Sequence, residues 1–178
     1  MSFLLQIGLI GLPMGAKVRR RTAVRGVIIH GSKILLVHTG RGDYKFPGGG
    51  MEARETTHQT LLREVREETG YEVTSIGEVL GQAYQRRVDA RDSNAYFEMR
   101  SVYIRCDVAR RPNKQELDEY EKRLQFKPRW IELSEAVRAN EAFMRSSHLP
   151  EWDWTSRETR VLKWLQKGGQ PKEGIERI

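Results

Sequence analysis

Cysteine is nearly missing from this 178-residue chain: Cys106 stands alone. One thiol excludes an intramolecular disulfide framework and a multi-cysteine zinc cluster, and it fits a reducing cytoplasm. Long apolar runs are lacking as well. Residues 3–12 are apolar, but a membrane-spanning helix needs about 20 such residues. No positively charged leader precedes Phe3, as a secretory signal requires. No biased tract or internal repeat interrupts a composition of 38% hydrophobic and 31% charged residues, which excludes fibrous, collagen-like and wholly disordered chains. A chain of this length makes one domain with its own core.

What is present is an excess of positive charge: 31 Lys+Arg against 24 Asp+Glu, a net of +7. Four of the bases, Lys17, Arg19, Arg20 and Arg21, follow the apolar start and read as a solvated basic arm, without the interleaved aromatics of a nucleic-acid stacking surface. The start itself has two readings: Met14 is the working initiator, or the segment packs on the domain or on a partner. The organisation expected is an extension over 1–18, a folded domain over 19–167 and a disordered tail over 168–178.

Residues 22–29 and 33–39 are β-branched and apolar, and the intervening His30-Gly31-Ser32 signals a hairpin. Phe46-Pro47-Gly48-Gly49-Gly50 cannot lie inside a helix. A helix follows, with Thr56 and Gln59 as a capping box and Gly70 at the left-handed exit. Residues 73–88 and 95–108 read as strands, 115–124 as a short acidic helix and 126–133 as another strand. A last helix spans 156–166, with Thr155 and Glu158 as its capping box. Interleaved strands with few helices make an α/β or α+β single domain.

On a wheel of about 100° per residue, Glu64, Glu67 and Glu68 fall within roughly 100° of one another, with Arg63 beside them and Leu61, Leu62 and Val65 toward the core. Glu64 and Glu68 form an i,i+4 like-charge pair, unfavourable by about 0.2–0.5 kcal/mol. Such a face is either a solvated surface, with Arg63 and Arg66 offsetting the repulsion, or an oxygen cage for a hard divalent cation. The glycines before it either make a tight turn or let the backbone approach a ligand, as in phosphate-cradling loops. Together they form one spaced pattern, Gly49-x5-Glu55-x7-Arg63-Glu64-Val65-x-Glu67-Glu68-x-Gly70. With Val65 counted only as hydrophobic, its seven fixed positions, each at about 7% usage, recur by chance on the order of 10⁻⁸ per position.

This pattern resembles the Nudix hydrolase box, and Phe46-Pro47-Gly48 and Arg129-Trp130-Ile131-Glu132-Leu133 are similar to the family's flanking segments. Tyr71 departs from it, since a small aliphatic is usual there. The resemblance implies a mixed β-sheet sandwiched between α-helices, and Mg²⁺ or Mn²⁺ bound by Glu64, Glu67 and Glu68 with a carbonyl at Gly48. It implies that Arg63 orients the glutamates, that Glu55 anchors the box loop and Gly70 closes its helix, and that Gly49 and Gly50 meet substrate. Arg100 is the substrate contact chosen from its strand position, an exposed strand arginine being the alternative. Arg86 and Arg87 are further arginines that either meet phosphates or lie exposed on strands. The general base is drawn from Glu64, Glu67, Glu98, Glu116 and Glu119. Glu98 alternates with Val102, Ile104 and Cys106 along one strand and so shares their inward face. Residues 49–71 carry a net charge of −2, leaving +9 elsewhere, which suits a metal bound first and a polyphosphate second.

The activity implied is hydrolysis of a phosphoanhydride in a nucleoside diphosphate derivative, first an (oxidised) nucleoside triphosphate cleaved to monophosphate and pyrophosphate. The alternatives are an ADP-ribose or dinucleoside polyphosphate hydrolase, or a non-catalytic nucleotide- or RNA-binding module. The partner expected is a small-molecule nucleotide, with neither nucleic acid nor membrane, and a homodimer left open. Trp152 and Trp154 read as core or lid packing rather than base-stacking groups, His58 and His148 as ordinary polar positions, and Cys106 as an inert core thiol.

Overall fold

The computed structural model describes residues 2–8, 11–147 and 153–168. In chain order these form β1 (Phe3–Gly8), β2 (Lys17–Val27), β3 (Ile29–His30), β4 (Lys33–His38), β5 (Tyr44–Lys45), α1 (Thr57–Thr69), β6 (Val73–Asp89), β7 (Asp92–Val108), α2 (Glu119–Arg123), β8 (Lys127–Glu132), α3 (Leu133–Ser147) and α4 (Trp154–Gln166). One sheet runs β1-β6-β7-β2. Its central pair β6–β7 is antiparallel, and β1 and β2 join in parallel at the two sides. The second sheet runs β3-β4-β5, and β8 pairs antiparallel with β4. No helix among the described residues is long and apolar enough to cross a membrane.

Strand alternation divides the interior into two layers. Val24, Ile28, Leu35, Val102, Ile104 and Cys106 pack beneath Leu61 and Val65 of α1. The residues between them, Val27, Ile34, Leu36 and Tyr103, face the other way, onto Ala136 and Val137 of α3 and Val161 and Leu162 of α4. Helices therefore lie on both sides of the strand layers, the mixed α/β sandwich expected. A Cβ at Gly26 would press on Val65, Leu61 and Cys106, so α1 rides close over β2. Burial of Leu61 and of Val65 contributes about 1.5–3 kcal/mol each. Leu62, expected toward the core, is instead exposed.

One open reading closes and three other expectations change. The apolar start packs on the domain: β1 lies in register with 81–86 of β6, and Leu5 and Ile7 are buried. The basic residues 17–21 are no free arm but the first half of β2. Arg19 clasps Asp89 through two hydrogen bonds of 2.6 and 3.0 Å and stacks on Phe97. The helix expected over 115–124 shrinks to five residues, because the chain before it is used to cap α1. The Asn113 N–H donates to the Gly70 carbonyl, and the Glu116 N–H donates to the Glu67 carbonyl. In α4 the N-cap is Asp153, not Thr155, whose hydroxyl donates to buried Asp43 at 2.6 Å. Helix α3 had no counterpart in the pattern reading. The expected tail beyond 168 lies outside the described residues.

Candidate active site

The loop 46–51 lies along the edge of β2. Gly26 N–H donates to the Pro47 carbonyl, Val24 N–H to that of Gly49, and Met51 N–H to that of Thr22. Gly48 is required sterically, and Gly49 leaves room for a carboxylate. Gly48 has φ +136°, and a side chain there would collide with the Val24 carbonyl; at Gly49 it would collide with the Glu64 carboxylate. The loop is thus pressed between β2 and the acidic face of α1. The helix itself is fixed as its sequence predicts, with both bonds of the Thr56–Gln59 capping box and Gly70 left-handed at φ 76°.

Arg63 organises one side of this face. Its Nε and Nη2 hold Glu55 bidentately at 2.7 and 2.8 Å. Its Nη1 reaches Glu64 at 2.7 Å and Glu67 at 3.2 Å, and Nη2 also donates to the Gly50 carbonyl at 3.3 Å. The guanidinium holds the Glu55 carboxyl down at about 2, helped by the Glu52 N–H. Glu55 therefore ties loop to helix, the anchoring role expected of it.

On the other side, Glu68 is almost wholly buried, at 1% exposure. It accepts from Lys45 Nζ at 2.6 Å and from the Gly48 N–H at 2.8 Å. Oxygens of Glu64, Glu68 and Glu121 lie within 4.8 Å of one another. Burial, reinforced by the charge of Glu68, raises the proton affinity of Glu64. Burial pushes Glu121 up to about 7, again with Glu68 adding to it. Three clustered carboxylates, Glu64 and Glu68 buried and Glu121 half-buried, fit a hard divalent cation, which relieves their mutual repulsion and accepts oxygen ligands.

The structure brings some of the sequence candidates together and not others. Glu64 and Glu68 come together, but Glu67 turns to Arg63 and stands outside the cluster. The Gly48 carbonyl accepts from Arg25 Nη1. Glu98 is buried on the inward face as expected, but it is held by Arg86 and Arg20 rather than placed in the cluster. Arg100 is exposed and donates to Gln82 at 2.9 Å. Glu116 faces Arg66 and Glu119 pairs with Lys122, so neither reaches the site. Glu121 was not among the sequence candidates. Its signal was a second capping box, Asp118-x-x-Glu121, which fixes α2 and turns its third residue toward α1. Trp154 donates to Asp43 at 2.7 Å, in keeping with packing. His58 is exposed on α1, while Trp152 and His148 lie outside the described residues.

A model of the NUDIX domain matches residues 19–152, and the chain belongs to that family. Over shorter stretches it is 48% identical across 52 residues to YtkD of Bacillus subtilis (strain 168), 29% of this chain and 32% of that protein. It is 54% identical across 40 residues to a Proteus vulgaris protein named 8-oxo-dGTP diphosphatase, 22% of this chain and 35% of that one. The chain thus matches about a third of the length of these curated relatives. Among solved structures, a NUDIX hydrolase from Nitrosomonas europaea superposes with a TM-score of 0.60 at 21% identity, over 90% of this chain and 97% of that one. A UDP-X diphosphatase gives 0.52 at 20% identity, over 89% and 68%. Both are likenesses of fold.

Proposed function

We propose that the chain is a Mg²⁺-dependent nucleotide pyrophosphohydrolase whose first substrate class is the (oxidised) nucleoside triphosphates, cleaved to monophosphate and pyrophosphate. The observation that carries the reading is the cluster of Glu64, Glu68 and half-buried Glu121, packed beside the Gly48–Gly49 turn. The name of the Proteus vulgaris relative supports the substrate class.

Mg²⁺ bound among these carboxylates supplies charge neutralisation for phosphate oxygens and a more acidic water. The protein's own groups do the rest. A carboxylate oxygen of Glu64 or Glu121 left free by the metal would take the proton as water attacks phosphorus, the anhydride P–O bond breaks and pyrophosphate leaves. Arg63 holds Glu64 and Glu67 in place while Glu55 holds Arg63. Glu98, clamped between Arg86 and Arg20, steadies those arginines instead of accepting a proton. Because Arg19, Arg20 and Arg86 face acids of the same sheet, part of the basic excess is spent internally, which favours a small nucleotide over nucleic acid. Buried Cys106 accords with the reducing cytoplasm we assign.

The test is a panel of 8-oxo-dGTP, dGTP, ADP-ribose and a dinucleoside polyphosphate, each with Mg²⁺ and with a chelator, scored by released monophosphate and pyrophosphate. Metal-dependent release fastest from the triphosphates supports the proposal. Preference for ADP-ribose or the dinucleotide moves the substrate class, and no turnover of any member removes the enzyme reading.

A further inference from the structure

Among the described residues two cations bond the acidic cluster directly, with buried Arg25 nearby on the Gly48 carbonyl, and the two are held very differently. Arg63 is bonded to Glu55, Glu64, Glu67 and the Gly50 carbonyl, so its planar fork is locked. Lys45 comes from the two-residue strand β5 and is itself buried at 9% exposure. Its one described ion pair is with Glu68, at 2.6 Å; it also lies within the field of Glu121 and over the face of Phe126, 4.4 Å from Nζ to the ring centroid. A lysine ammonium is a compact point charge on a flexible stem, and an aromatic face offers it a second resting place without a competing acid.

We propose that Lys45 is the site's exchangeable counter-ion. Without metal its ammonium compensates Glu68 inside a cluster where buried Glu64 and Glu68 and half-buried Glu121 repel one another. When a divalent cation is taken up, Nζ gives up that oxygen and stays over Phe126. Lys45 is thus a positioning residue that keeps the metal-free site folded and weakens metal uptake by presenting a charge of the same sign. This inference rests on the metal-binding reading of the triad.

The experiment compares Mn²⁺ affinity, by electron paramagnetic resonance of free Mn²⁺, in the full-length wild type, Lys45→Met, Lys45→Arg and Glu64→Gln. A unit charge and a divalent ion a few ångströms apart repel enough, even at the dielectric of water, to change affinity roughly tenfold. Lys45→Met is expected to bind Mn²⁺ at least roughly tenfold more tightly than wild type, and Lys45→Arg within a few-fold of it. The metal-free melting temperature of Lys45→Met should fall, and saturating Mn²⁺ should restore it. If Lys45→Met does not fold without metal, Lys45→Gln refolded with and without Mn²⁺ gives the same comparison. A neutral variant that binds Mn²⁺ no more tightly than wild type, while Glu64→Gln weakens binding, overturns the role of Lys45 alone. No Mn²⁺ binding by wild type or neutral variant overturns the metal reading, and this inference with it.

Discussion

Replacing Glu55 by Gln tests how the box loop is fastened to its helix. In the folded chain Arg63 grips both Glu55 oxygens, and the Glu52 N–H and Thr60 hydroxyl add one bond each at 2.8 Å. Holding the carboxyl at about 2 instead of 4.5 corresponds to about 3 kcal/mol at full strength. The pair stands partly in water, and screening brings the expected loss at pH 7 to about 1–2 kcal/mol. The sign follows from the lowered value. The stabilisation is fully present above pH 4.5 and drains away as pH falls through about 2, where Glu55 is protonated in folded and unfolded chains alike. Urea unfolding of wild type and Glu55→Gln between pH 2 and pH 7 reads the difference directly. The gap should be widest near neutrality and close toward pH 2. A gap that is absent at pH 7, or constant across that range, refutes the reasoning.

Two further outcomes follow from the geometry. Gly49→Ala places a methyl group against the Glu64 carboxylate, so Mn²⁺ binding and turnover should each drop by about tenfold or more while circular dichroism stays native; wild-type binding would show that the loop does not press on Glu64. Cys106 is buried and its thiol is pushed up to about 12, so it should resist a thiol-specific reagent at pH 8 in the folded protein and react once in urea; fast reaction in the native state would contradict the packing beneath α1.

What could be read from the sequence was what short stretches encode. Helix α1 carries its start in Thr56 and Gln59, its stop in Gly70 and its period in Leu61 and Val65, so it emerged with its bounds intact. The β6–β7 pair was legible for the same reason, as two long β-rich runs around a polar turn. Long-range contacts were not legible. The first half of β2 looked like a solvated arm because the acids that neutralise it, Asp89 and Glu98, lie some seventy residues away in sequence. Helix α3 buries only Ala136, Val137 and Asn140, a face too small and too polar to stand out. Asn140 is buried because its amide pairs with the backbone of Tyr44 on both sides. Glu121 joins Glu64 and Glu68 because residues 113–116 run along the end of α1, and no local pattern carries that crossing.

The claim on which the rest depends is that Glu64, Glu68 and Glu121 together hold a divalent cation. Anomalous diffraction from crystals soaked in Mn²⁺ tests it most directly. The account predicts a peak among the oxygens of those three side chains, with Lys45 Nζ no longer bonded to Glu68. A peak elsewhere, or no peak with the Lys45–Glu68 pair intact at saturating Mn²⁺, contradicts it.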